Sequence, residues 1–67
     1  MRLTLPPQWT KYLLSQPESG MGYQRVAVRL VDGRKFEHAL VFNAEQLEIK
    51  DDVELKPGEI AEITVER

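Results

Sequence analysis

His38 is the single histidine of this 67-residue chain, and there is no cysteine. Catalysis by a histidine needs a nucleophile or carboxylate within hydrogen-bond reach, and a metal needs several converging ligands; the sequence provides neither set around His38. His38 therefore reads as a buried or half-buried neutral imidazole making one hydrogen bond. Asp51-Asp52 lacks the spaced ligands and central glycine of a calcium-binding loop and reads as a solvated turn. The stretch "PESGMGYQ", Pro17 to Gln24, carries two glycines, but loops that cradle phosphate follow a strand and open a helix. Here a helix comes first and a strand follows, so the segment reads as the bend between them. No catalytic, cofactor-binding or metal-ligating residue is assigned, and enzymatic chemistry is not expected.

Charge gives a more useful lead. The net charge is only −2, yet residues 1–44 carry +3 and residues 45–67 carry −5. The two parts can attract each other within the fold, or the basic part can meet an anionic partner. Arg25 and Arg29 are the basic residues that one strand would project together, and Lys35 falls opposite Arg29, a like-charge pair that calls for a nearby anion. Glu62 and Glu66 on the last strand are the internal candidates; a nucleic-acid backbone is the external one. The acidic balance and the scarcity of aromatic residues for base stacking favour the internal candidates.

These residues need elements to hold them. Pro6 and Pro7 suit the first turn of a helix, and Trp9, Tyr12 and Leu13 form an apolar stripe, so a short helix is predicted over about residues 7–15, ended by Pro17. From Tyr23 to Val31 the period becomes two, with Val26, Val28 and Leu30 on one face and Arg25, Ala27 and Arg29 on the other. A second strand follows with Phe36, His38, Leu40 and Phe42 assigned to the inward face. A two-residue Asp32-Gly33 loop would pair apolar with charged residues. A three-residue loop, Val31-Asp32-Gly33, with Gly33 left-handed, instead sets Val28 opposite Phe36, Arg29 opposite Lys35 and Val26 opposite His38. Leu47 and Ile49 mark a short strand and Val53 with Leu55 another. "PGEI" reads as one helical turn, and Ala61 to Glu66 as the last strand.

The chain is thus expected to be a single mainly β domain over residues 1–67: a short N-terminal helix, then a four- to five-stranded antiparallel barrel of SH3-like or Sm-like shape. Closure would remove the exposed edges; an open antiparallel sheet with the helix across one face is the alternative. "LPPQWTKYLLSQPESGMGYQ" followed by "VAVRLVDGRKF" resembles a set of small uncharacterised bacterial proteins sharing a "PESGMGYQ" segment and an Asp-Gly hairpin, a likeness that implies no activity. A helix followed by "VRLVDGRKF" is also similar to the opening of Sm-like RNA-binding barrels. Where those carry an Arg-Gly dipeptide before the closing strand, this chain has Pro57-Gly58 and an acidic residue, so that likeness implies architecture and no functional residues.

A chain this short buries only about 60% of the surface exposed on unfolding, and without cysteine it lacks disulfides, which makes oligomerisation a natural support. The expected role is a non-enzymatic interaction module that binds another protein or a second copy of itself. Trp9, Met21, Tyr23, Arg25 and Arg29 are its contact residues, chosen because these types are enriched in interfaces. Nucleic-acid binding on the basic outer face of the first hairpin is the alternative. No cofactor is expected. No secretory leader is recognised at the N-terminus, and no stretch approaches the roughly 20 apolar residues of a spanning helix, so a cytoplasmic, membrane-free setting is expected.

Overall fold

Two prolines start the helix. Pro6 sits extended at its entrance and Pro7 takes the first turn, where no N–H is missed, so α1 spans Pro7–Leu14. The computed structural model describes residues 1–51 and 53–66. Strands β1 (Arg2–Thr4), β2 (Tyr23–Leu30), β3 (Lys35–Phe42), β4 (Gln46–Glu48) and β5 (Ile60–Val65) form one antiparallel sheet in the order β1-β4-β3-β2-β5. Pro57–Glu59 makes the single helical turn read from "PGEI". The mainly β architecture with one short N-terminal helix is as expected.

Barrel closure is not. β5 does pair with β2, setting Arg29 opposite Glu62, but no ladder joins the two edges, β1 and β5. Two local features explain the difference. Val53 to Leu55 is irregular, its entry bent by a Val53 N–H to Asp51 C=O bond of 2.9 Å. The neighbour of β4 is instead β1, a three-residue strand ahead of the helix that the sequence reading did not assign. The turn expected at Asp51-Asp52 lies partly outside the described residues, since Asp52 is not among them.

The first hairpin follows the parity argument. Gly33 is left-handed (φ 98°), the Gly33 N–H bonds the Leu30 carbonyl at 3.0 Å, and the Leu30 N–H bonds the Arg34 carbonyl at 2.8 Å. Val28 then faces Phe36 and Arg29 faces Lys35. The Arg34 backbone N–H, with its guanidinium behind it, holds the Asp32 carboxyl below the ordinary carboxylate value. A lowered value means this bracing is intact at neutral pH and is lost as pH falls through it. A methyl at Gly33 meets no atom within 4 Å, so Gly33→Ala isolates the backbone term. It should cost about 1–2 kcal/mol in a urea titration, and an unchanged midpoint would contradict the left-handed turn.

Beyond Phe36 the structure departs from the expected alternation. Val26 faces Ala39, not His38, because Glu37 and His38 together oppose Ala27 in a bulge with His38 left-handed (φ 59°). The extra residue flips the phase of the rest of β3. Ala39 and Val41 turn inward and are buried, while Leu40 and Phe42 move to the outer face and are half-buried. His38 is exposed, not buried; its backbone N–H (3.3 Å) and Nδ1 (3.2 Å) both reach the Glu66 carboxylate, which braces the bulge. A second bulge, at Ala61, brings Ile60 rather than Ala61 to the core.

The core gathers on the inner face: Val26, Val28 and Leu30 of β2, Ala39 and Val41 of β3, Leu47 of β4, Ile60 and Ile63 of β5, and Leu13 of the helix. Leu13 is the helix's buried residue, and Trp9 packs partly buried against the same cluster. Gln24 continues the inward parity of β2 and is buried at 3% exposure. Its Nε2 donates to the carbonyls of Leu13 (2.9 Å), Gln16 (3.3 Å) and Pro17 (3.3 Å), satisfying the chain as it leaves the helix.

Candidate functional site

The outer face of the sheet gathers the chemistry that the sequence singled out. Strand alternation points Tyr23, Arg25, Ala27 and Arg29 away from the core, and the β3 bulge adds Leu40 and Phe42 beside them. Tyr23 lies directly opposite Phe42 and Arg25 opposite Leu40. From β1 the Arg2 guanidinium stands 5.5 Å from the Phe42 ring centroid and also meets Glu48 at 3.5 Å. The result is a half-exposed apolar centre of Tyr23, Leu40, Phe42 and Ala27 with charged groups around it.

"PESGMGYQ" turns out to build this corner. Gly20, Met21, Gly22 and Tyr23 form a tight turn with Gly22 left-handed (φ 80°) at its third position, the type II pattern. The Glu18 carboxylate accepts the Gly22 N–H at 2.9 Å and braces the turn. Gly20 has a different part: a Cβ there would lie 2.6 Å from Cζ and 2.7 Å from Oη of Tyr23 and would displace the end of that ring. Only a residue without a side chain lets the Tyr23 ring lie down on the backbone. Both glycines therefore have structural roles, and Met21 is left fully exposed at the tip.

The like-charge pair Arg29 and Lys35 is relieved from within. Glu62 lies 3.7 Å from Arg29, and Glu37 lies 3.7 Å from Lys35. Exposed pairs of this kind contribute about 0–1 kcal/mol and act mainly on register and local charge. Glu66 was expected beside Arg25, but only its backbone N–H is there, bonding the Arg25 carbonyl at 2.8 Å, while its carboxylate turns to His38. Among the described residues Arg25 is thus the one cation of this face without a carboxylate within 4.0 Å.

Of the five expected contact residues, Tyr23, Arg25 and Arg29 share the outer face and Met21 borders it. Trp9 does not join them. It packs on the core side with its ring edge-on to Tyr12 at 6.3 Å, and its indole N–H is enclosed without an acceptor. Leu40, Phe42 and Arg2 were missed. In "HALVF" two apolar sets interleave, so alternation alone does not choose between them. Gln24 had a legible signal, an amide at the same parity as three core aliphatics.

Among the described residues no three His, Asp or Glu side chains gather as metal ligands would, and no helix is long and apolar enough to cross a membrane. No protein-family model matches the chain, and no curated protein and no solved structure shows significant similarity to it.

Proposed function

We propose that this chain is a non-enzymatic interaction module that binds another protein, or a second copy of itself, through the outer face of its sheet. The supporting observation is the half-exposed cluster of Tyr23, Leu40 and Phe42 on the two central strands, flanked by Arg2, Arg25 and Arg29. An apolar centre within a charged rim, rich in tyrosine, phenylalanine and arginine, has the anatomy of a protein interface. A cytoplasmic setting fits a chain without cysteine.

A photo-crosslinking residue in place of Leu40 tests this in the source cell. It should yield an adduct with a protein or a second copy that survives nuclease treatment, and the same residue in place of the distant Lys56 should yield none. No adduct at position 40, or one lost to nuclease, would count against the reading. The second reading, a nucleic-acid platform, draws on the same aromatic pair beside Arg25. It predicts an affinity that falls steeply with salt and weakens in Arg25→Ala and Arg29→Ala. The carboxylates facing Arg2, Arg29 and Lys35 make it the weaker of the two.

A further inference from the structure

A cleft of about 480 Å³ lies at the end of the sheet next to the contact face. It runs between the exit of the helix (Leu13, Leu14, Gln16), the turn at Glu18 and Gly22, and the Asn43-Ala44 turn. That last turn is unusual, because Asn43 (φ 53°) and Ala44 (φ 59°) are both left-handed, and Ala44 is buried where glycine would be the unstrained choice. The Asn43 N–H to Gly22 C=O bond, at 2.9 Å, ties the two turns together across the cleft.

The cleft's polar atoms have one character. Gln24 is buried, and its amide orientation is set by the three carbonyls that take its Nε2. Its Oε1 must therefore point the other way. Among the described residues that oxygen has no hydrogen-bond partner, yet it is not among the fully enclosed unpaired atoms, of which the indole nitrogen of Trp9 is the one found. Gln24 is itself one of the residues lining the cleft. The Glu18 carboxylate uses one oxygen for the Gly22 N–H and leaves the second free. Glu18 is the only charged residue in the lining among the described residues, and the negative end of the helix adds to its field. Leu13, Leu14 and Ala44 form apolar walls, suited to the stem of a long cationic side chain.

We infer that this cleft receives a lysine or arginine side chain of a protein partner, its cationic head held by the free Glu18 oxygen and Gln24 Oε1. The inference rests on the reading of the chain as a protein-binding module. It goes further by naming a separate anchor and the chemistry that fills it. A neutral donor would satisfy Gln24 Oε1 alone; a cation would pair with the exposed Glu18 carboxylate as well.

The test is an NMR titration of the ¹⁵N-labelled chain with Nα-acetyl-arginine methylamide, set against the citrulline analogue, which is nearly the same shape but neutral. The arginine probe should shift the Gln24 side-chain amide and the Gly22 N–H in a saturable way. Citrulline should bind up to about fivefold more weakly, and Glu18→Gln, which can still accept the Gly22 N–H, should weaken the arginine probe by about the same factor. A blocked Gly-Gly-Arg-Gly-Gly peptide should produce the same shifts. Equal binding of the two probes, shifts confined to other acidic residues, or a probe that binds while the peptide does not would each overturn the inference. Leu40→Asp should leave the titration unchanged, so a failure of the outer-face reading is separable from a failure here.

Discussion

Leu13→Ala should lower the unfolding free energy by about 2–5 kcal/mol, the range for removing most of a buried leucine and leaving a cavity. Leu13 is 1% exposed and is the buried residue of an eight-residue helix. A helix that short does not persist by itself, so its existence depends on how well this side chain docks. A domain of this size commonly has only about 3–5 kcal/mol to lose, so the variant should be mostly unfolded at room temperature. Urea titration followed by Trp9 fluorescence reads the docking directly, because Trp9 is on the same helix. A loss under about 1 kcal/mol would mean that the helix is held by something other than Leu13.

Gln24→Glu should be comparably severe at neutral pH and should improve on acidification. The substitution changes one atom type. An ionised carboxylate cannot donate, so it would confront the carbonyls of Leu13, Gln16 and Pro17 with negative charge inside the protein. An uncompensated buried charge costs about 3–5 kcal/mol. Both burial and the surrounding oxygens would raise the folded-state pKa of the new carboxyl above its unfolded value of about 4.3. The sign follows. The variant is most stable relative to the wild type below that unfolded value, where the neutral acid can donate to one carbonyl. It loses about 1.4 kcal/mol per pH unit as pH rises from there to the folded value. Urea midpoints of both proteins at pH 4.5 and 7.5 measure it, and a gap that stays constant between the two would refute the role given to Gln24.

Much of the fold was legible because local rules were decisive. Prolines bounded the helix, the left-handed glycine followed from which residues could face each other across the first hairpin, and the acidic partner of Arg29 followed from setting the last strand beside the first. The order of glycines after a helix and before a strand correctly assigned "GMG" to a bend, although the close approach of the Tyr23 ring to Gly20 is visible only in three dimensions. What stayed hidden depends on non-local choices. β1 is three residues long and takes its place only because β4 offers an edge. The open sheet depends on the irregular path through Val53 to Leu55. Half of the outer face was misassigned because its outward turn is decided at His38, a residue whose left-handed backbone has no sequence signature as strong as glycine's.

That one residue governs more than local geometry. From Ala39 to Phe42 the chain holds two hydrophobic inventories offset by a single position: a slim one, Ala39 and Val41, and a bulky one, Leu40 and Phe42. The surplus residue at Glu37-His38 selects the slim pair for the interior and sends the bulky pair to the surface. Shortening the strand by one residue there would exchange them, crowding the interior with a leucine and a phenylalanine and leaving the exterior only an alanine and a valine. Chain length at this point, more than side-chain identity, decides which of the two pairs the outer face presents.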